Sequence, residues 1–512
     1  MNLNARQWEA VRSVDRHVLV SAGAGTGKTR TVVGRVLYLL GGEVEGKRLP
    51  EPARLTLNDV AAITYTEAAA ADLKRKLREA LREAGRRDLA AAVDTSRIGT
   101  VHAFCLGVLR EFALRMDRSP GARVLDEAEG AALVAEAAKD TLLEALEAGD
   151  LEGLNELLAE RSVGDVEAWA ATLAQDADRL AHVSAGHLGP GERTLVALAQ
   201  RVLGAVRQRL DDLGALDFDA MITLTRDLLR DNAPVRRALQ RRVRCLVVDE
   251  FQDVDPVQKE IAYLLGEPAA AQPDATRLML VGDPKQSVFR FRRADVTVWR
   301  SVEREFQRWR EEGRALVVTL EENYRSAQPI LGLVEATVGA VLDAPLGGAA
   351  LAEFEVPYER IIATKEKRTT APCVELIAVP PDEAGKPRRV DEARRLEAPA
   401  VARRARELVD AGAQPGDIAI LLTTWGAMET YREALRAVGL ETYALRSEGF
   451  HERREVVDLL LALEAVNDPN DDRALLGFLR SPFVGLKDET LLAIARSGHS
   501  PYWRRLHEAV VG

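Results

Sequence analysis

A short apolar run, Val18-Leu-Val-Ser-Ala22, leads directly into Gly23-Ala-Gly-Thr-Gly-Lys-Thr29. No other stretch constrains the fold as much. The run reads as a buried strand, and a helical pattern continues from about Lys28 to Leu40. Between them Gly23, Gly25 and Gly27 let backbone N–H groups curve around a phosphate without a clashing Cβ. Lys28 brings a compact charge to β/γ-phosphates, and Thr29 offers a hydroxyl to Mg²⁺. Ala22 stands where the commonest form of this loop has glycine. The bland alternative is a glycine-rich turn that binds nothing.

Such a loop needs an acidic partner at a neighbouring strand end, and Cys245-Leu-Val-Val-Asp249-Glu250 supplies one. Asp249 is expected to hold Mg²⁺, usually through water, and Glu250 to orient and activate the attacking water. Val60–Thr66 and Leu278–Asp283 are further short apolar runs. Strands alternating with helical stretches predict an α/β fold, a parallel sheet with helices on both faces. From about Leu106 to Leu216 the pattern becomes Ala/Leu/Glu-rich and helical, broken by a Gly/Pro stretch at Ser184–Glu192. A second α/β segment is expected after Arg325. Its strand candidates are Cys373–Val379 and Asp417–Thr423, separated by the linker Pro380–Arg389, and helix returns from about Glu452.

The length of 512 residues predicts more than one domain. No long uncharged apolar run predicts a membrane span, and the polar start has no signal-peptide core. Cys105, Cys245 and Cys373 lack metal or disulfide spacing, which suits a reduced cytoplasm. With 70 basic and 80 acidic residues the net charge is −10. That argues against a basic nucleic-acid coat protein but leaves room for a local track of positive charge.

Asp249-Glu-Phe-Gln-Asp253-Val-Asp-Pro-Val-Gln258 is more specific than an acidic pair. It resembles the signature of UvrD/Rep-like superfamily 1 DNA helicases. Other segments fall in that family's order: Leu3-Asn-Ala-Arg-Gln7, Thr64-Tyr-Thr-Glu-Ala-Ala-Ala-Ala-Asp-Leu-Lys74, Gly99-Thr-Val-His-Ala-Phe-Cys105, Val281-Gly-Asp-Pro-Lys-Gln-Ser-Val-Phe-Arg-Phe-Arg292, Asn323-Tyr-Arg-Ser326 and Phe450-His-Glu-Arg-Arg-Glu-Val456. The resemblance implies that Gln7 reads the adenine edge and that Ala22, Gly23, Ala24, Gly25, Thr26, Gly27, Lys28, Thr29 and Arg30 cradle ATP. It also implies that Gln286 senses the γ-phosphate, Tyr324 stacks on adenine, Arg325 reaches the γ-phosphate and Glu455 contacts the ribose. Asp283-Pro-Lys-Gln286, Thr100-Val-His-Ala-Phe-Cys105 and Asp255-Pro256 look more like the RecB/AddA branch.

A motor that walks on any sequence binds phosphates and stacks bases rather than reading base edges. The resemblance places Thr64, Tyr65, Thr66, Thr100, His102, Phe289, Phe291 and Arg292 at single-stranded DNA. Tyr65 precedes a basic helix with Lys74, Arg75, Lys76 and Arg78. The alternative there is a solvated basic face with a packed tyrosine. His102 has a structural alternative, and Phe289, Phe291, Arg290, Arg292 and Arg293 could form a surface ribbon with packed phenylalanines. Asp217 reads as a helix start without chemistry.

By this resemblance residues 1–105 and 216–325 form a first RecA-like motor domain around a helical insertion, 106–215. Residues 326–450 are part of a second RecA-like domain, and 451–512 begin a second insertion. The implied activity is ATP-dependent 3′→5′ translocation on single-stranded DNA, with ATP and Mg²⁺ as cofactors. DNA ends are the implied substrate, in double-strand break processing, with an AddB/RecC-like protein partner and no membrane. The family's fifth and sixth motifs are not found, so the chain is expected to be an N-terminal portion that hydrolyses ATP poorly. Rival readings are a stand-alone UvrD/Rep repair helicase and a non-translocating ATP-binding module.

Overall fold

The structure is a computed structural model that describes residues 2–51, 53–149, 151–176, 188–266, 276–290, 294–344, 352, 354–366, 372–444, 453–496, 501–504 and 506. They form two compact units, Met1–Val374 and Glu375–Gly512.

The first unit is built on β1 (His17–Ala22), β2 (Val60–Thr64), β3 (Arg97–Thr100), β4 (Arg123–Val124), β5 (Ala215–Leu216), β6 (Cys245–Val248), β7 (Arg277–Gly282), β8 (Ala315–Leu320), β9 (Glu322–Ala327) and β10 (Ile362–Lys365). Six of these make one sheet in the order β3-β2-β6-β7-β1-β8, every pair parallel. The strand period of two divides their side chains between two cores. Leu19, Ile63, Leu246, Leu280, Trp299 and Phe306 pack on one face. Val18, Val20, Val60, Val247, Met279 and Val318 pack on the other. Each fully buried Val, Leu or Phe contributes roughly 1.5–3 kcal/mol, so the sheet is a rigid base for what its loops carry.

The helices that matter for the site are α1 (Ala5–Arg12), α2 (Lys28–Leu39), α3 (Glu67–Glu83), α4 (Arg87–Ala92) and α5 (Val101–Glu111). Asn4 caps α1 through a reciprocal pair with Gln7. Thr66 caps α3 and Thr100 caps α5. Helix α5 carries Phe104, Val108 and Leu109 into the sheet core. The helices Glu127–Ala148, Leu154–Glu160, Val163–Ala174 and Pro190–Asp212 enclose a separate core of Leu125, Val134, Leu142, Leu198 and Val202. Strands β4 and β5 pair in parallel beside it.

Two local expectations change. Pro190–Glu192, expected in a break, opens a 23-residue helix, because proline at the first helical position lacks only an N–H that would be unbonded anyway; residues 184–187 of that stretch lie outside the described residues. The strand candidates Cys373–Val379 and Asp417–Thr423 form no strand and join no ladder, and Asp417 closes a 3₁₀ turn, Pro415–Asp417. A strand needs a neighbour for its main-chain groups, and none of the described residues supplies one. Leu376 and Leu421 are each 93% exposed as a result. The second unit otherwise consists of helices Val390–Asp410, Met428–Ala437, Arg454–Asn467, Asp472–Arg480 and Asp488–Arg496. Among the described residues no helix is long and apolar enough to cross a membrane.

Candidate functional site

Because the six strands are parallel, their carboxyl ends share one edge, the place where open α/β sheets bind ligands. Strand β1 ends there in the loop Gly23–Gly27, β2 in Thr64–Thr66, and β3 in Thr100. Strand β6 ends in Asp249-Glu250, β7 in Asp283, and β8 turns into Asn323–Arg325.

The phosphate loop is held from both flanks. Gly25 and Gly27 have φ of 78° and 92°, a region that costs a side-chain-bearing residue energy. A Cβ on Gly27 would lie 2.5 Å from Gln7 Nε2, and one on Gly25 would lie 2.7 Å from Arg325 Cβ. Gln7, almost wholly buried, donates to the Thr26 carbonyl (2.9 Å). Thr26 Oγ1 donates to the Gly23 carbonyl (2.7 Å). Asn323 Nδ2 donates to the Ala24 carbonyl (2.6 Å), and Tyr324 N–H donates to the Gly25 carbonyl (2.9 Å). Ala24 and Arg30 are exposed, and Thr29 is half-buried.

Lys28 Nζ lies 2.7 Å from Glu250 Oε2. Glu250 has left-handed backbone angles, φ 54° and ψ 42°, which cost a non-glycine residue on the order of 1 kcal/mol or more. That twist turns its carboxylate toward the loop. Burial, reinforced by the charge of Glu250, pushes the Asp249 carboxyl up to about 6, although Lys28 opposes the rise. Asp253 is also pushed up to about 6 by burial and Glu250. Thr64 is buried and its Oγ1 has no partner among the described residues. It lines a small cavity together with Asp249 and Glu250. A carboxyl whose ionisation burial and a neighbouring acid oppose is stabilised by a cation, so the chemistry of Asp249 fits a hard ion such as Mg²⁺.

Gln252, not singled out from the sequence, joins the acids to β7. Its Nε2 donates to Glu250 Oε2 (2.8 Å), and its Oε1 accepts from Asp283 N–H (2.9 Å). Asp283 in turn accepts from Gln286 Nε2 (2.7 Å) and pairs with Lys285 Nζ (3.0 Å). Asn323 was likewise missed. Besides holding Ala24 it accepts from the N–H groups of Arg325 and Ser326, which fixes the turn that presents Arg325. The motif context of both residues was visible, but their partners were not. Tyr324 is exposed, and its hydroxyl meets Glu322 and Asn4.

Beside the glycine-loop edge of the sheet lies an aromatic face. The rings of Tyr65 and Phe289 sit 5.1 Å apart at 31°. His102 meets Phe218 edge-on at 5.2 Å, and burial holds its imidazole below the usual range. Thr100 Oγ1 donates to Glu67 (3.2 Å) while capping α5, and Thr66 Oγ1 caps α3. Thr64 instead faces the cavity beside Asp249. On α3, Arg75 and Lys76 pair with Asp72, and Arg78 pairs with Asp94, so the basic face is largely neutralised. Phe291, Arg292 and Arg293 lie outside the described residues, as do residues 450–452. Glu455 lies in the first turn of a helix of the second unit. Among the described residues no cluster of three or more His, Cys, Asp or Glu side chains could hold a metal by itself.

A family model described as the UvrD/REP helicase N-terminal domain matches residues 3–307. The chain belongs to the UvrD/REP helicase family. A model of the UvrD-like helicase C-terminal domain matches residues 318–507, so sequence from both halves of the UvrD-type motor is present, more of the second half than the motifs alone implied. The chain is 29% identical to the ATP-dependent DNA helicase UvrD2 of Mycobacterium tuberculosis (strain ATCC 25618 / H37Rv), covering 94% of this chain and 61% of that protein. It is 26% identical to the ATP-dependent DNA helicase PcrA of Bacillus subtilis (strain 168), covering 96% and 57%. It is 25% identical to an ATP-dependent helicase/nuclease protein of Desulforudis audaxviator (strain MP104C), covering 96% and 54%. The chain therefore spans somewhat over half the length of these relatives.

Proposed function

We propose that the protein is an ATP-dependent DNA translocase and helicase that moves 3′→5′ along single-stranded DNA. The observation that carries this reading is the continuity of two sites on one sheet edge. The Lys28–Glu250 site joins through Gln252, Asp283 and Gln286 to the segment that bears Phe289, whose ring packs on Tyr65.

In this reading Lys28 leaves Glu250 for the β/γ-phosphates of ATP, and the loop N–H groups hold the β-phosphate. Glu250, released, orients the attacking water and takes its proton. Thr29 and Asp249 would hold Mg²⁺, which supplies positive charge to the phosphates. Gln286 senses the γ-phosphate and Arg325 stabilises its developing charge. Gln7 and Tyr324 serve the nucleoside. Tyr65 and Phe289, with Phe291 and Arg292, provide base stacking and phosphate contact, and Thr66, Thr100 and His102 line the strand. Arg325 is the single arginine that the motifs assign to the γ-phosphate, so slow turnover is expected. ATP hydrolysis measured with and without single-stranded DNA tests the reading.

The cellular setting has two candidates. The UvrD2 and PcrA relatives favour a repair helicase acting alone. Residues 100–105 and 283–286, with the helicase/nuclease relatives, support end processing at double-strand breaks with an AddB/RecC-like partner. Preference for blunt duplex ends over a 3′-tailed duplex would select the second. A non-translocating ATP-binding module would have no use for Gln286 and Arg325 at the γ-phosphate.

A further inference from the structure

Glu359 lies outside every segment with a role so far, yet it reaches two of them. Its Oε2 accepts from Ser21 Oγ (2.9 Å), one residue before the phosphate loop, and pairs with Lys285 Nζ (3.2 Å). Lys285 is only 10% exposed and its other partner is Asp283, the carboxylate that holds Gln286. Two residues on, Ile361 packs so closely over Gly23 that an added Cβ would lie 2.6 Å from its Cδ1. The chain then enters β10, which pairs in parallel with β9, the strand that carries Asn323, Tyr324 and Arg325.

The ribbon β9–β10 and the residues leading into it are thus pinned to the phosphate loop and, separately, to the segment 283–289. One pin is uncharged: Asn323 and Tyr324 on the carbonyls of Ala24 and Gly25. The other is ionic, and its cation belongs to the segment 283–289 that ends at the Tyr65–Phe289 stack. A strand bound at Phe289 can shift Arg325 through this charged contact, a route distinct from the Gln252 bridge, which ends at Glu250. Lys285 is the largely buried member of the pair, and separating the two leaves its ammonium with one carboxylate, Asp283, in place of two, which makes the contact a sensitive link.

We propose that Glu359 is a positioning residue that, through Lys285, couples single-stranded DNA at the Tyr65–Phe289 face to nucleotide at the Lys28–Arg325 site. This rests on the functional reading above. Neither ligand needs the pair for its own contacts, so its loss should weaken the coupling and spare each separate affinity.

The test measures affinity for a labelled oligothymidylate by fluorescence anisotropy, with and without saturating adenylyl imidodiphosphate, and the affinity for that analogue without DNA. The wild-type chain should show a ratio between the two DNA affinities of about fivefold or more, the lower end of ordinary coupling. Glu359→Gln should bring the ratio within about twofold of unity, with each single-ligand affinity also within about twofold of wild type. Lys285→Met should abolish the ratio too, and the double variant should lose nothing more. Ser21→Ala, which spares the Lys285 contact, should keep it. A wild-type ratio near unity, an unchanged ratio in Glu359→Gln, or a parallel fall in both single affinities would overturn the proposal. A wild-type chain that binds no nucleotide, or binds it equally well as Lys28→Ala, would overturn the functional reading instead.

Discussion

Lys28 and Glu250 neutralise each other at 2.7 Å, so the cation assigned to the phosphates and the base assigned to the water form one ion pair. The strained backbone of Glu250 is what lets its carboxylate reach the lysine. On the proposed reading nucleotide separates the pair, and the acid becomes available when phosphate takes the lysine.

Glu250→Gln should then bind ATP as tightly as wild type or several-fold tighter, since the lysine is no longer held by a full charge. Its turnover should fall by about 10²–10⁴-fold, the ordinary contribution of a positioned base. Equilibrium titration with a fluorescent ATP analogue, beside a phosphate-release assay, measures both. Weaker binding together with retained turnover would contradict the assignment.

Asp249 gives a prediction of opposite sign for stability and activity. Its carboxyl titrates at about 6 in the folded chain against 3.8 ordinarily. Between those values the folded state holds more protons than the unfolded one, so stability falls as pH rises through the window. Asp249→Asn removes that penalty, a gain of up to roughly 3 kcal/mol at pH 7 that vanishes below about pH 4. Magnesium-dependent hydrolysis should be lost in the same variant. Thermal unfolding of both proteins without nucleotide at pH 4 and pH 7 reads the first effect.

Gln252→Leu leaves the buried Asp283 N–H without its acceptor, at a cost of about 1–3 kcal/mol. Gly282→Ala reaches the same place from the other side, since its Cβ would lie 2.5 Å from Gln252 Oε1 and 2.6 Å from Trp299. Crowding of this kind costs typically about 1–3 kcal/mol. Denaturant unfolding measures both, and unchanged midpoints would show that the bridge is not part of the folded ground state.

Tyr65→Ala and Phe289→Ala should each weaken binding of single-stranded DNA by about 1–3 kcal/mol per lost stacking base. The two rings are in contact, so the double variant should cost less than the sum. The Lys28 site should keep its nucleotide affinity in all three.

Much of the first unit was legible because its chemistry is local. Val18–Ala22 with the glycine loop, Cys245–Glu250 and Leu278–Asp283 are apolar runs that end in polar residues, and the structure has strands β1, β6 and β7 there. Asp217 as a helix start was likewise local, and its side chain caps the helix through Ala220 N–H. What stayed hidden depends on distant partners. Ser21 and Glu359 are 338 positions apart, and nothing in either neighbourhood names the other. Thr64 is expected at single-stranded DNA, whereas its hydroxyl is buried and the residue borders the cavity at Asp249. Cys373–Val379 and Asp417–Thr423 have strand-like composition, but composition does not supply the neighbour that a strand requires.

The central claim is that the Lys28 site drives movement on DNA, and the most direct test is ATP hydrolysis by the chain with and without single-stranded DNA, beside Lys28→Ala. The account predicts slow hydrolysis that DNA stimulates and that disappears in the variant. Nucleotide binding and hydrolysis indifferent to both DNA and Lys28 would contradict it.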